Sequence, residues 1–170
     1  MRRVRLSVAM SLDGYIAGPH GESDWIARDP EFDFRTHFAQ FDTVLVGRRT
    51  FEAMRRQGRG SIEGMKTFVF SRTLNPAEFP DVTVSSEPAA WISTLKAATG
   101  KDIWLFGGGS LFCSLLEMGL VDSVEIALMP VLLGSGLPLT PRLTELANLR
   151  LRGHRVYAQS GAVLLDYVPA

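Results

Sequence analysis

The chain has one cysteine, no excess of charge and no long apolar run, and each absence excludes a class of protein. Cys113 alone cannot form an intramolecular disulfide. Eighteen basic and eighteen acidic side chains cancel, so no net field attracts the molecule to nucleic acid or to an anionic membrane. No stretch approaches the roughly 20 apolar residues of a membrane helix. The three histidines lie far apart and outside any two-ligand motif, so no metal site is expected.

The length and composition are those of one globular domain. A chain of 170 residues can bury a core without disulfides or structural metals, and we expect one domain over residues 1–170. Basic residues open the chain, but the apolar stretch behind them is short and Asp13 follows soon after. We interpret this segment as a first strand rather than an export signal, and we expect a cytoplasmic protein.

Short apolar runs alternate with helical patterns as far as Met129, and strands alone follow. This order predicts an α/β fold of three layers, α/β/α, with a mainly parallel central sheet and an antiparallel C-terminal edge. The predicted helices cover residues 30–40, 50–56, 110–118 and a stretch between Ser86 and Gly100. The predicted strands are 4–10, 43–46, 67–70, 82–84, 103–106, 123–129, 149–155 and 162–168.

The most informative motif is a strand that runs directly into three glycines, in IWLFGGGSLFCSLLEMG. Gly107, Gly108 and Gly109 let the backbone turn sharply and let a ligand approach its amides. Ser110 is predicted to be the N-cap of the next helix, whose free N–H groups and positive dipole end would face one spot. Such a turn binds phosphate, although the same glycines also fit close packing of helix on strand.

Two other strand ends carry groups suited to anions. They are Gly47, Arg48, Arg49 and Thr50 after one strand, and Ser71 and Arg72 after the next. Because the carboxyl ends of parallel strands meet at one edge of a sheet, the three places together predict a ligand with more than one phosphate. Guanidinium groups suit phosphate through several planar donors. Taken alone, the arginines fit a solvated basic face equally well.

The standard nucleotide motifs do not fit this chain. The spacing G-x-G-x-x-G would need a glycine where Phe112 stands, and no Gly-Lys-Ser/Thr follows the glycines as a P-loop requires. The sequence therefore excludes a Rossmann fingerprint and a Walker loop.

Four segments resemble a known family. VLVGRRTFEAM, FVFSRT and IWLFGGGSLFCSLLEMGLVDSVEIALMPVLLGSGLPL, with the N-terminal SLDGYIA, are similar to bacterial dihydrofolate reductase-like proteins related to the reductase domain of RibD, the riboflavin-biosynthesis protein. The resemblance runs from residue 4 to about residue 167, with the motifs in the family's order. It implies a dihydrofolate reductase-like fold and NADPH as the cofactor.

The resemblance also implies roles for individual residues. In this family the Gly-Arg-x-Thr turn binds the nucleotide, so Arg48 would bind the 2′-phosphate, with Arg49 and Thr50 near the pyrophosphate. The other implied cofactor contacts lie at two strand ends. They are Ser71 and Arg72 at the adenosine phosphate, and Gly107, Gly108, Gly109, Ser110 and Leu111 at the pyrophosphate and nicotinamide.

On the substrate side, similar proteins place the SLDG segment beside the nicotinamide. Asp13 is therefore the candidate catalytic and substrate-contacting residue, although Asp-Gly is also an ordinary turn signal. Trp25 takes the place of the tryptophan in the flexible loop of dihydrofolate reductases and is the second substrate candidate. Glu31 or Asp33 falls near the acid with which those enzymes hold the pterin, but the local pattern differs, and Glu31 also fits a favourable charge on a first helical turn.

The sequence as a whole predicts an NADPH-dependent reductase that transfers a hydride to a small heteroaromatic molecule of pterin or pyrimidine type. Two alternatives stay open: reduction of a ribosylaminouracil phosphate in riboflavin biosynthesis, and a non-catalytic nucleotide-binding module. The resemblance also implies a homodimer, for which the apolar stretch LMPVLLGSGLPL is either an interface or part of the sheet core.

Overall fold

The computed structural model describes residues 1–170 and contains ten strands and four α-helices. The helices are α1 (Phe34–Phe38), α2 (Arg48–Arg56), α3 (Pro88–Ala97) and α4 (Gly109–Glu117). The strands are β1 (Val4–Ser11), β2 (Tyr15–Ala17), β3 (Phe41–Gly47), β4 (Lys66–Phe70), β5 (Thr83–Ser85), β6 (Asp102–Gly107), β7 (Ser123–Met129), β8 (Leu137–Pro138), β9 (Leu149–Val156) and β10 (Val163–Pro169). None of the helices has the length and apolarity needed to cross a membrane.

Eight of the strands form one sheet in the order β5-β4-β3-β6-β1-β7-β10-β9. The strands from β5 to β7 are parallel, and β10 runs antiparallel to both β7 and β9. The predicted parallel sheet with an antiparallel C-terminal edge is confirmed. The pairing of β2 with β8 forms a second, two-stranded sheet that the sequence did not predict.

Helices cover both faces of the large sheet, as the sequence predicts. On one face Leu6 and Leu105 of the strands pack with Ile92 of α3 and with Phe112 and Leu115 of α4. These five side chains are almost completely buried. Burial of each such large apolar group is worth roughly 1.5–3 kcal/mol, so this contact fixes α4 firmly on β6.

The opposite face holds α1 and α2. Val46 of β3 and Trp104 of β6 pack with Phe51 and Met54 of α2, and Phe38 of α1 lies against the same cluster. The alternation of side chains along β3 and β6 sends neighbouring residues into opposite cores. Each of the two central strands is therefore buried on both sides, as in other parallel sheets.

Helix α1 is shorter than the predicted helix at residues 30–40. The Asp29 carboxylate accepts a hydrogen bond from the Glu31 amide at 2.9 Å, which holds Pro30 in a turn instead of a first helical position. Asp33 is the N-cap, because its carboxylate accepts from the Thr36 amide at 3.0 Å. Glu31 consequently lies outside the helix, and its interpretation as a first-turn charge is wrong.

A buried ion pair lies on the α1 side of the sheet. The Arg5 guanidinium of β1 contacts the Glu125 carboxylate of β7 at 2.7 Å, and both side chains are 7% exposed. Arg5 also donates to Gln40 at 2.8 Å and lies 3.2 Å from Asp102. Burial raises the pKa of Glu125, which the neighbouring guanidinium opposes. The pair joins β1 to β7 on this face of the sheet.

We expect Glu125→Ala to lower the free energy of unfolding by about 3 kcal/mol, because it leaves a buried guanidinium without its main counter-ion. Glu31→Ala is the matched control, since it breaks the exposed pair with Arg155 at 3.5 Å and should cost less than about 1 kcal/mol. Urea unfolding of both variants measures the two losses. Equal losses would show that the buried pair stabilises the sheet no more than an exposed pair does.

Candidate functional site

Two nine-residue helices at the carboxyl edge of the sheet have glycine as the N-cap residue. The N-cap of α2 is Gly47 and the N-cap of α4 is Gly108, and neither helix has a side-chain cap. The first amides of a helix have no partner within it, and the helix dipole is positive there. Both helices therefore offer backbone donors and positive potential that no side chain of the cap position uses.

The prediction that Ser110 is the N-cap of α4 is wrong. Ser110 is the second residue of the helix, it is exposed, and its carbonyl accepts from the Ser114 hydroxyl at 3.1 Å. The helix starts earlier because Gly108 already has the extended backbone of a cap residue. The first amides of α4 thus belong to the glycine turn itself.

The two helix starts lie side by side. A Cβ built on Gly47 would lie 3.7 Å from the Leu111 Cβ and 3.9 Å from the Gly108 nitrogen. A Cβ on Gly108 would lie 3.2 Å from the Thr50 Oγ1. The register of β3 and β6 pairs Val46 with Gly107, which brings the two turns level. The predicted meeting of these two strand ends is confirmed.

The glycine turn has a backbone that other residues rarely adopt. Gly107 has a φ of +126°, and the peptide between Gly107 and Gly108 is cis. A φ in this range favours glycine, which has no Cβ to clash with the following peptide. The turn therefore needs glycine at residue 107 for its conformation.

Arginines flank this pair of helix starts. Arg48 and Arg49 form the first turn of α2 and are exposed. The Arg48 guanidinium lies 3.6 Å from the carboxylate of Glu52, one turn further along the helix. An exposed pair at this spacing is weak, so Arg48 can turn to a more strongly charged partner at low cost.

Ser71 and Arg72 follow β4 at the same edge, since β4 runs parallel to β3 and pairs Phe70 with Gly47. The Ser71 hydroxyl accepts from the amides of Thr73 and Leu74, each at 3.1 Å, and so shapes a turn. Arg72 is exposed. The structure thus brings the three predicted anion-binding strand ends together. The Ser71 hydroxyl also stabilises the turn that follows β4.

Asp13 lies just after β1, and its carboxylate is held by three hydrogen bonds. One oxygen accepts from the Ser11 hydroxyl at 2.6 Å and from the Leu133 amide at 3.1 Å, and the other accepts from the Gly134 amide at 2.7 Å. The Ser11 hydroxyl, followed by these amides, lowers the pKa of Asp13 to about 2. Asp13 is therefore a carboxylate at neutral pH and has no proton to donate.

Trp25 lies in the loop between β2 and α1. Its indole N–H donates to the Glu22 carbonyl at 3.0 Å, and its ring packs near Met129 and Tyr157 in a small third core. The ring is half-buried. Trp25 thus packs on the α1 side of the sheet, and its indole N–H is occupied by the Glu22 carbonyl.

Sequence reasoning missed how the stretch LMPVLLGSGLPL contributes to this site. Met129 and Leu139 are buried, whereas Leu132 and Leu137 are 68% and 47% exposed, so the stretch is core in part and surface in part. Its end packs directly on the glycine turn, because a Cβ on Gly109 would lie 2.5 Å from the Leu139 carbonyl oxygen. The close spacing of glycines and prolines was the only sequence signal for this contact.

His37 is a packed residue of α1. Its Nε2 lies 2.9 Å from the Ser7 hydroxyl of β1, and its ring contacts Phe32, Phe38 and Phe41. Burial, together with the charge of Arg5, lowers the pKa of His37. The imidazole is therefore neutral at neutral pH.

Comparison with known proteins gives the class of the fold. Dihydrofolate reductase of Enterococcus faecalis, in a complex with NADP(H), superimposes with a TM-score of 0.70 at 17% identity over 98% of this chain and 96% of the enzyme. The deaminase/5-amino-6-(5-phosphoribosylamino)uracil reductase of Thermotoga maritima superimposes with a TM-score of 0.70 at 20% identity, over 99% of this chain and 57% of the longer protein. The fold is thus that of the dihydrofolate reductase-like proteins.

The family follows from the sequence match. The model of the RibD C-terminal domain matches residues 2–163, and the chain belongs to that family. It is 34% identical to the uncharacterized protein YyaP of Bacillus subtilis, over 98% of this chain and 94% of YyaP. A Shewanella protein assigned provisionally to riboflavin biosynthesis is 25% identical, with a TM-score of 0.82 over 100% of this chain and 99% of that protein.

We expect Gly109→Ala to disturb the glycine turn. The new Cβ would lie 2.5 Å from the Leu139 oxygen and 2.6 Å from the Pro138 oxygen, and these backbone atoms cannot move aside as a flexible side chain can. Overpacking of this kind costs roughly 1–3 kcal/mol. Thermal unfolding measures the loss.

Gly60→Ala is the matched control, since nothing lies within 4 Å of a Cβ at that loop position. It should leave the melting temperature within about a degree or two of the wild type. A Gly109→Ala protein as stable as Gly60→Ala would contradict the close packing of α4 on the 138–141 backbone.

Proposed function

We propose that the protein is an NADPH-dependent reductase of a small heteroaromatic substrate. One observation carries the proposal: two helices that begin at glycine without a side-chain cap lie side by side, with exposed arginines beside them. Helix N-termini bind phosphate through backbone amides, and guanidinium groups bind it through planar donors. A dinucleotide with a 2′-phosphate needs both kinds of donor.

The residues present fit this cofactor. The starts of α2 and α4 offer amides for a pyrophosphate, and the cap residues Gly47 and Gly108 have no side chain that competes for those amides. Arg48, with only a weak exposed partner, is the proposed ligand of the 2′-phosphate. The other proposed contacts are Arg49, Thr50, Ser71, Arg72, Gly107, Gly109, Ser110 and Leu111. When bound, the cofactor supplies a hydride from C4 of its nicotinamide.

The substrate is proposed to differ from a folate. Dihydrofolate reductases hold the pterin with the carboxylate of an acidic residue on or near the first helix. Here Asp33 caps α1, Asp29 accepts from two backbone amides, and Glu31 lies 3.5 Å from Arg155. Because Asp29 and Asp33 are engaged with backbone amides and Glu31 lies outside α1, a pyrimidine-like acceptor without an amidine edge fits better than a pterin.

Reduction of a ribosylaminouracil phosphate is the second candidate, favoured by the match to the RibD C-terminal domain. Such a substrate carries a phosphate of its own and would need an anion site apart from the two helix starts. Both candidates assign the same work to this chain: it binds the cofactor, orients the acceptor and excludes water from the space between them.

The proposal is tested by titrating the full-length protein with NADPH and NADH and following tryptophan fluorescence. We expect saturable binding with a preference for NADPH. In Arg48→Ala, loss of a charge-assisted contact worth roughly 1.5–3 kcal/mol should weaken NADPH about 10- to 100-fold and leave NADH nearly unchanged. Arg150→Ala, an exposed arginine on the far edge strand β9, is the matched control and should bind both cofactors normally.

Equal losses for NADPH and NADH in Arg48→Ala would show that this residue does not bind the 2′-phosphate. Absence of saturable NADPH binding by the wild type would refute the reductase. Oxidation of NADPH with a panel of pterins, flavins and pyrimidines then distinguishes an enzyme from a binding module, which would bind the cofactor and oxidise it with none of them.

A further inference from the structure

The segment of residues 131–141, which we call the crossing segment, connects two parts of the carboxyl edge that the sequence keeps apart. It leaves the end of β7, passes the turn between β1 and β2, and ends against the start of α4. Near its beginning the Leu12 amide donates to the Val131 carbonyl at 2.8 Å. In its middle, β8 pairs with β2.

Asp13 holds the beginning of the crossing segment. Its two carboxylate oxygens accept from consecutive backbone amides, those of Leu133 at 3.1 Å and Gly134 at 2.7 Å. The carboxylate is itself oriented by the Ser11 hydroxyl, which is fully buried and accepts in turn from the Tyr15 amide at 3.0 Å. An ionised acceptor held in this way binds amides more strongly than a neutral one.

The end of the crossing segment fixes the glycine turn. The Leu139 amide donates to the Gly14 carbonyl at 3.1 Å, and the Leu139 side chain is buried in the main core. A Cβ at Gly109 would meet the carbonyl oxygens of Pro138 and Leu139, at 2.6 Å and 2.5 Å, and the ring of Pro141 at 2.7 Å. No gap separates the segment from the first residue of α4.

We propose that Asp13 is a positioning residue: through the crossing segment, it fixes the N-terminus of α4 for binding of the cofactor phosphate. The inference rests on the proposed function for its ligand, but the mechanical connection stands on geometry alone. It gives the candidate catalytic and substrate-contacting residue Asp13 a different role, since both oxygens of this carboxylate accept hydrogen bonds from the chain itself.

The molecule contains a matched control for this connection. Asp29 also accepts from two backbone amides, Glu31 at 2.9 Å and Ser160 at 2.9 Å, and so ties two other segments together. Neither of these hydrogen bonds involves the crossing segment or α4. Asp13→Ala and Asp29→Ala therefore remove the same kind of interaction at two places, of which only one leads to the glycine turn.

The test measures backbone hydrogen exchange and NADPH affinity of the full-length protein. In Asp13→Ala we expect exchange to accelerate about tenfold at Leu133 and Gly134 and also in the first turn of α4, with NADPH bound about 5- to 10-fold more weakly. Asp13→Asn keeps one carbonyl acceptor and should give intermediate values for both. Asp29→Ala should change neither the exchange of α4 nor the NADPH affinity.

Two outcomes would overturn the inference. If Asp13→Ala accelerates exchange at Leu133 and Gly134 while α4 and the NADPH affinity match the wild type, the connection is wrong and the cofactor site stands. If Asp29→Ala weakens NADPH as much as Asp13→Ala, the effect is general destabilisation. Should the wild type not bind NADPH, the proposed function fails, and exchange in α4 alone decides whether Asp13 positions the turn.

Discussion

The contact on which the site depends is the approach of two backbones at Gly109. The carbonyls of Pro138 and Leu139 occupy the space that any side chain there would need, and this packing sets where α4 begins. The start of α4 sets the position of its helix dipole and the direction of its first amides. The absence of a Cβ at Gly109 thus lets residues 138 and 139 pack against the proposed phosphate site.

The formal net charge of the molecule is zero, and its charged groups act through local contacts. The buried pair of Arg5 and Glu125 joins two strands, and the carboxylates of Asp13 and Asp29 hold backbone amides of loops. Exposed arginines remain at the carboxyl edge, where Arg48 has only a weak partner. These three carboxylates are therefore used for structure, whereas Arg48, Arg49 and Arg72 at the carboxyl edge are exposed and can contact an anion.

Most of the fold and the meeting of the three strand ends could be predicted from the sequence, because apolar strands and glycine turns are local signals. The start of α4 could not, since Ser110 has the chemistry of a cap, whereas in the structure Gly108 has the extended backbone of the cap and Gly109 packs on residues 138 and 139. The partners of Asp13 lie 120 and 121 residues away, beyond any local pattern. The pairing of β2 with β8 could not be predicted either, because these two strands are also far apart in the sequence.

The central claim is that the paired starts of α2 and α4 form the NADPH site. Amide chemical shifts of the isotopically labelled protein, followed through a titration with NADPH, test it most directly. The account predicts that the largest shifts fall on residues 47–50 and 107–111, with smaller ones at 71–72. Saturable shifts concentrated elsewhere, at the amino ends of the strands or on β9 and β10, would contradict it.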